Sequence, residues 1–371
     1  MAAAKQRKLD WFLCGMGLAV LLAWIWPEPG ARHGWLHPEL ITNLGVALIF
    51  FLHGLGLSFA ALTAGILQWR LHLLVQLSVF LLFPVLGGVL YAVTSPWMSD
   101  DLRLGFFFLC ALPSTVSSSV ALTSAAQGNV PAAVFNATLS SLLGIVITPL
   151  WMSLVASTGD ARTSIGGTIV KLCLWLLLPL LVGQILRPWW GAWVARHKRF
   201  VNTVDRLTIL LLVYTSFCDS FVLGVWTRQG LQAVLLSLLL TGILFWIVFS
   251  LMVMLSRLAR FVPADRTAVI FCGSKKSLAT GVPMAQLMFN GNPALGVILL
   301  PIMIYHPLQL VICGFLAGRW GREAGHATDS LPELISRSEP AAMEESVSDS
   351  QSAPPGPGEN SASSRKSSGS P

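Results

Sequence analysis

Charge is scarce in this chain of 371 residues: Asp, Glu, Lys and Arg together make up 11%, against roughly a quarter in a soluble domain. That leaves little room for a large aqueous surface. A phosphate-cradling GxxxxGK[ST] loop is missing, which argues against ATP-driven transport. The six cysteines (14, 110, 173, 218, 272 and 313) all lie in apolar runs and form no CxxC pair. Neither a disulfide framework nor a metal site is therefore expected. The serines come without an oxyanion-hole signature, so an intramembrane hydrolase built on Ser119 and Lys276 has no support, and no enzyme or cofactor is expected. The net charge of +7 does not point to nucleic acid. The basic residues gather at the ends of apolar runs, where they orient helices and meet anionic headgroups.

What the chain has instead is apolar length. Hydrophobic residues make up 54% and the mean hydropathy is +0.70, the composition of a multi-pass protein of the lipid bilayer. The opening run "KQRKLDWFLCGMGLAVLLAWIW" has no small-residue cleavage site before "PEPG", so it is expected to be a span rather than a signal peptide. A bilayer core of ~30 Å needs about 20 apolar residues per helix. That measure places spans near 10–27, 40–62, 72–94, 104–126, 130–155, 167–187, 206–224, 231–255, 266–289 and 294–317. Basic loops alternate with poorer ones. Lys5, Arg7 and Lys8, then Arg70, then Arg187 to Arg206, then Arg257 to Arg266 fall on one side. Glu28 with Arg32 and Glu39, Asp100 with Asp101 and Arg103, and Asp160 with Arg162 fall on the other. The positive-inside rule then puts both termini in the cytoplasm, at the cell membrane or at the inner membrane of a bacterium. The transmembrane part is expected to be residues 1–326. From 327 to 371 the chain turns Ser-, Pro- and Glu-rich, the composition of a disordered cytoplasmic tail.

An internal repeat runs through the spans. "QGNVPAAVFNATL" and "FNGNPALGVILL" share Gly-Asn and Pro-Ala, with Pro131 and Pro293 lying 162 residues apart. The same shift lays spans one to five (about 10–155) on spans six to ten (about 167–317). Each half has an odd number of crossings, so the two copies are expected upside down relative to one another, the arrangement of secondary transporters.

In that register spans four and nine are partners, and both carry helix-breaking chemistry. Span four has Pro113 followed by Ser114, Thr115, Ser117, Ser118 and Ser119. Span nine has "GSKKSLATGVP", with Ser274, Lys275, Lys276, Ser277 and Thr280. Unwound backbone survives in hydrocarbon only where protein or water satisfies it. Lys275 lies nine residues beyond Arg266, or ~13 Å along a helix, close to the bilayer midplane. A cation there costs at least ~2.5 kcal/mol. Two roles stay open: an anion site or built-in cation, or a structural pair neutralised by a carboxylate or by helix C-terminal carbonyls. Asp219 is the candidate carboxylate, or else an interface group. His306, before Pro307, is a proton relay or a brace for loosened backbone. Asn136 is a further polar candidate at the site, or helix glue.

With these residues in view the chain resembles the sodium/bile acid cotransporter superfamily, in the branch of sodium/bile acid cotransporter 7 and its bacterial homologues. The resemblance covers residues 8 to about 320 and rests on "DWF", "SSLLGIVITPL", "FCDSF", "FVPADRTAVIFCGSKKSL" and "IYHP". It implies an all-α membrane protein of ten helices in panel and core domains, with spans four and nine broken and crossed. A substrate cleft between the domains would work by alternating access. The family's two sodium ions are held partly by a glutamate and a Gln-Asn pair. By the resemblance these fall at Phe271 and at Lys275 and Lys276, while an asparagine of span four falls near Ser119 or Val120. A site that has lost a carboxylate and gained ammonium groups repels cations. The expectation is a symporter-like transporter of a small organic anion, with the lysines in place of sodium and protons as the coupling ion. The alternative is a non-transporting membrane regulator of ion homeostasis or trafficking.

Overall fold

The computed structural model describes residues 11–31, 34–56, 68–156, 165–289 and 292–348. Lys5, Arg7, Lys8, Arg32, Asp160, Arg162 and the chain after residue 348 lie outside them. Among the described residues every regular element is helical. They are α1 (Trp11–Ile25), α2 (Pro38–Gly56), α3 (Trp69–Val93), α4 (Asp100–Ala111), α5 (Ser117–Ala125) and α6 (Val130–Ala156). After these come α7 (Ile165–Arg196), α8 (Lys198–Val222), α9 (Val225–Leu258), α10 (Pro263–Gly273), α11 (Leu278–Met288) and α12 (Leu295–Ser348). Among the described residues six helical stretches are long and apolar enough to cross a membrane: Pro38–Gly56, Trp69–Val93, Val130–Val155, Lys198–Val222, Gly230–Leu258 and Leu295–Ala324. Large apolar side chains such as Leu18, Trp24, Leu178, Ile185, Leu235 and Leu239 point outward from these and neighbouring helices, as a lipid-facing surface requires.

Spans four and nine do not run through. Ser99 caps α4 by accepting a hydrogen bond from the Leu102 N–H, and Asp100 and Asp101 favour the positive end of its dipole. It ends where Leu112 precedes Pro113, because proline pushes the residue before it out of the helical region; Leu112 is extended (φ −67°, ψ 153°). The helix restarts as α5 at Ser117. Pro263 starts α10, which ends at Gly273, and α11 restarts behind an extended Ser277 whose hydroxyl accepts from the Thr280 N–H. A shift of 162 residues carries Asp100–Ala111 to 262–273 and Ser117–Ala125 to 279–287, within one residue of the bounds of α10 and α11.

A third irregularity sits in α3, where the turn Ser78–Leu82 is π-helical, just before Pro84. Proline has no N–H to give the carbonyl four residues back, and the widened turn frees backbone acceptors. Phe80 O is taken by the Trp151 indole N–H at 2.9 Å. The carbonyl of Val79 has a more unusual donor, described below.

The body, residues 1–321, has two groups of helices. In one, α2 packs on α7 and on α8, and α1 on α8; in the other, α3, α4, α5, α6, α9 and α10 pack on one another. The α2–α7 contact depends on bare backbone. A Cβ added at Gly54 would stand 2.1 Å from Leu180 O, and one at Gly183 would stand 2.3 Å from Phe51 O. Small residues at such contacts let membrane helices approach closely. The remaining unit, residues 322–371, contains the end of α12. The helix enters the polar segment expected to lack structure and runs to Ser348.

The boundaries differ from the sequence expectation in one consequential place. The helix expected at 206–224 begins at Lys198, so Asp205 and Arg206 are helical wall residues rather than loop residues. The hydropathy window misses those first two turns because their residues are polar.

Candidate functional site

The two breaks cross, and their carbonyls find donors one by one. The Pro113 carbonyl accepts the Ser277 N–H at 2.9 Å, tying one break directly to the other. At the end of α10, Ser119 donates to Phe271 O (3.1 Å), Ser114 to Cys272 O (2.6 Å), Ser78 to Gly273 O (2.9 Å) and Tyr305 to Ser274 O (2.8 Å). At the end of α4, Thr148 donates to Ala111 O at 2.8 Å. Lys276 supplies the rest. Its ammonium donates to Cys110 O (2.7 Å), Leu112 O (2.6 Å) and Val79 O (2.9 Å). All three of its N–H groups are thus used, and Nζ lies 4.1 Å from the centroid of the Phe83 ring. The charge sits at the negative end of the α4 dipole and fills the gap left by the π-helical turn.

Lys275 is placed differently. Both lysines are 0% exposed, but the Lys275 ammonium makes one hydrogen bond, to Ser118 O at 3.1 Å. Its Nζ is also 5.2 Å from the Phe271 ring centroid. The peptide of Lys276 is clamped by Gln309, whose side chain accepts from the Lys276 N–H (2.9 Å) and donates to its carbonyl (2.7 Å). The same amide nitrogen donates to His306 Nδ1 at 3.0 Å, which leaves the proton of a neutral imidazole on Nε2.

Beside the crossing, between the two helix groups, lies a cavity of about 370 Å³. The starts of α5 and α11 form one wall, through Thr115, Ser117 and Ser118 and through Ser277, Ala279 and Thr280. The first N–H groups of a helix have no partner within it and favour anions. Phe12, His53, Asp205, Arg206 and Ile209 form the facing wall, and His306 and Leu310 complete it. A larger hollow of about 1030 Å³, lined by Met16, Trp24, Phe217, Leu231, Met303 and their neighbours, has no charged side chain in its lining among the described residues. At the far end of the α8–α11 contact the groups are closed on each other. Gln286 donates to Leu212 O (2.9 Å), Thr42 bonds the Gln286 carbonyl (3.5 Å), and Ser220 donates to Pro293 O (2.7 Å).

Of the residues singled out in the sequence, Thr115, Ser117, Ser118, Ser277, Thr280 and His306 line the cavity. Ser114, Ser119, Ser274, Lys275 and Lys276 form the buried crossing behind it. Asn136 is elsewhere: it bonds His72 Nδ1 (2.9 Å) and Gln76 (3.3 Å) where α6 meets α3. Asp219 lies in the last turn of α8, and among the described residues the lysine ammonium groups donate to backbone carbonyls. Sequence reasoning missed His53, Asp205, Arg206 and Gln309. A lone histidine in "FFLHGLG" and the Asp-Arg pair opening a hydrophobic run were the available signals.

Residues 10–322 match the profile of the SBF-like CPA transporter family. This chain belongs to that family. Among its relatives, protein PA2026 of Pseudomonas aeruginosa is 45% identical over 303 residues, covering 81% of this chain and 90% of the other. YfeH of Escherichia coli, which carries a provisional symporter name, is 43% identical over 318 residues, 85% of this chain and 94% of its own. Sodium/bile acid cotransporter 7 of the mouse is 34% identical over 323 residues, 84% and 92% of the two chains. An SBF-like protein with this many apolar helices is a multi-pass membrane transporter, not an enzyme.

Proposed function

We propose that this SBF-like protein is a secondary active transporter of an organic anion, with Lys275 and Lys276 standing where related proteins hold sodium. Ten crossings form two inverted halves, about residues 10–155 and 167–317. The first helix group is the panel and the second, with α11 and α12, the core. The membrane is the cell membrane, both termini are cytoplasmic, and residues 327–371 form a cytoplasmic tail. One observation carries the reading: the starts of α5 and α11 and the Arg206 wall converge on a single cavity between the two groups. Two helix dipoles and a guanidinium favour a carboxylate or sulfonate, and a cleft between two bodies suits alternating access. The closed seam at Gln286 and the cavity at the other end fit a cytoplasm-facing state.

Sodium coupling is disfavoured by charge. Lys276 already occupies a nest of three carbonyls, which is the chemistry a monovalent cation seeks, and a second cation beside it meets Coulomb repulsion. Protons serve as the coupling ion instead, with Asp219 and His306 as the charge partner and relay on this reading. Thermal unfolding of the purified protein against a panel of organic anions tests it, with sodium exchanged for choline. An organic anion is expected to raise the midpoint equally in both salts, since a ligand stabilises by RT ln(1 + [L]/Kd). Stabilisation that requires sodium would overturn it. In vesicles, Lys275→Ala and Lys276→Ala are each expected to abolish uptake of the anion so found.

A further inference from the structure

The corner between α7 and α8 is built from aromatic rings and cations. α7 ends at Arg196 and α8 begins at Lys198, so His197 alone joins them. Its backbone leaves the helical region (φ −105°, ψ 31°), and its Nδ1 donates to Trp193 O at 3.0 Å. The Trp193 ring ties the corner together. It stacks on His197 with centroids 4.6 Å apart and meets Trp190 and Phe200 edge-on, each at 6.2 Å. These rings face outward: Trp189 is 71% exposed, and Trp190, Trp193 and Phe200 are exposed as well. The sequence has no acidic residue from 161 to 204. Arg196, Lys198 and Arg199 are exposed and form no ion pair among the described residues, where the pairs found join His53 to Asp205 and Arg103 to Asp100. Arg187, further back on α7, lies along the bare backbone of Gly191, where an added Cβ would stand 3.0 Å from its Cγ. With Gln184, Pro188 and Ala192 it lines a hollow of about 300 Å³.

Two features decide what covers this corner. Exposed indoles gather at the level of lipid headgroups, where the ring meets hydrocarbon and the N–H meets water, and Trp189 follows directly on the span expected at 167–187. A patch of cations without a carboxylate attracts anions, and a bilayer offers lipid phosphates at that same level. The turn between α9 and α10 is different: the Arg266 guanidinium donates to Phe261 O at 2.7 Å, and Asp265 stands next to it in the chain. We propose that the α7–α8 corner is a binding surface for anionic phospholipid, with Arg187, Arg196, Lys198 and Arg199 meeting the phosphates and the three indoles beside the upper acyl chains. A lipid suits it better than a soluble anion because rings and charges share the same few turns. α7 packs on α2, and α8 on α1 and α2, so a lipid held here secures that helix group in the leaflet. The inference needs the chain to lie in a membrane and does not depend on what the cavity binds.

Thermal unfolding of the purified full-length protein in an uncharged detergent tests this, with dioleoyl phosphatidylglycerol, dioleoyl phosphatidylcholine or glycerol 3-phosphate added. Phosphatidylglycerol is expected to raise the midpoint, and the other two to leave it in place. Arg196→Gln, Lys198→Gln and Arg199→Gln should each raise the phosphatidylglycerol concentration for half the effect about fivefold, and all three together about a hundredfold, as expected for cations near an anionic surface. Without lipid these variants should melt with wild type, since the charges removed are unpaired among the described residues. Arg196→Lys should keep the response. Chain-brominated phosphatidylglycerol should quench tryptophan emission more than the brominated phosphatidylcholine, and replacing Trp189, Trp190 and Trp193 by Phe should remove the excess. The proposal is overturned by a wild type that does not respond to phosphatidylglycerol, or responds equally to phosphatidylcholine or glycerol 3-phosphate. A full response in the triple Gln variant, or excess quenching that survives loss of the three indoles, also overturns it. All of these leave the transporter reading standing.

Discussion

Replacing Lys276 with methionine keeps most of the side-chain volume and deletes the ammonium. Val79 O, Cys110 O and Leu112 O then lose their donor together, inside a site that is 0% exposed. Each orphaned buried carbonyl costs about 1–3 kcal/mol. Against this, the variant no longer buries a charge, which is a gain. That gain does not dominate, because the polar partners remain: removing one side of a buried charged interaction costs about 3–5 kcal/mol. At about 2 °C per kcal/mol for a chain of this size, the midpoint should fall by about 6–10 °C in a tryptophan-fluorescence melt. A second variant separates charge from volume. Lys276→Ala leaves a space lined by three carbonyl oxygens, and a small monovalent cation is expected to restore part of the lost midpoint there, none in Lys276→Met and none in wild type. A Lys276→Met midpoint within about 2 °C of wild type would refute the carbonyl accounting.

Lys275→Met should lose much less stability, about 1–2 kcal/mol, because among the described residues its ammonium makes only the bond to Ser118 O; the same melt ranks the two lysines. Gln286→Ala removes the donor to the Leu212 carbonyl of α8 and the acceptor for the Thr42 hydroxyl of α2 at the closed seam. Faster amide exchange over the Leu212–Ser216 turn is the expected result, and unchanged exchange would show that the seam holds by apolar packing alone. Gly54→Val puts a branched side chain where even a Cβ comes within 2.1 Å of Leu180 O, so α2 and α7 must separate. Gel filtration should show loss of the single folded peak, whereas Gly56→Val, at a position with open space around it, should retain it.

The breaks in spans four and nine were legible because proline, glycine and lysine declare themselves against leucine. The shift of 162 residues read from Pro131 and Pro293 carries α4 and α5 almost onto α10 and α11. The partners of the lysines were legible only as a class. Helix C-terminal carbonyls stood as an alternative to a carboxylate, for which Asp219 was the candidate, and the ammonium of Lys276 is held by backbone carbonyls, which every residue has and no residue type announces. Pro84 was the one available hint, since it frees acceptors in the turn before it. Gln309 and Tyr305 were hidden for a related reason: each bonds the backbone of a break from a helix remote in sequence. Asp205 fell just outside the span expected at 206–224, although a cavity wall needs polar residues on an otherwise apolar helix.

The two breaks solve the same backbone problem with different chemistry. Ser114 donates to Cys272 O while Lys276 donates to Cys110 O, and one shift of 162 residues relates both the donors and the acceptors. A hydroxyl closes one helix end and an ammonium the other. The hydroxyl adds no net charge, so the crossing carries a fixed positive charge on one side only. A bound ion gives a transporter a second cargo whose release can drive a cycle; a side chain with all three N–H groups engaged is never released. On the proposed reading the crossing therefore supplies attraction for the anion but no driving force. The charge that changes during a cycle has to lie where water can reach it, and His306, the relay of the proposed reading, stands on the wall of the cavity.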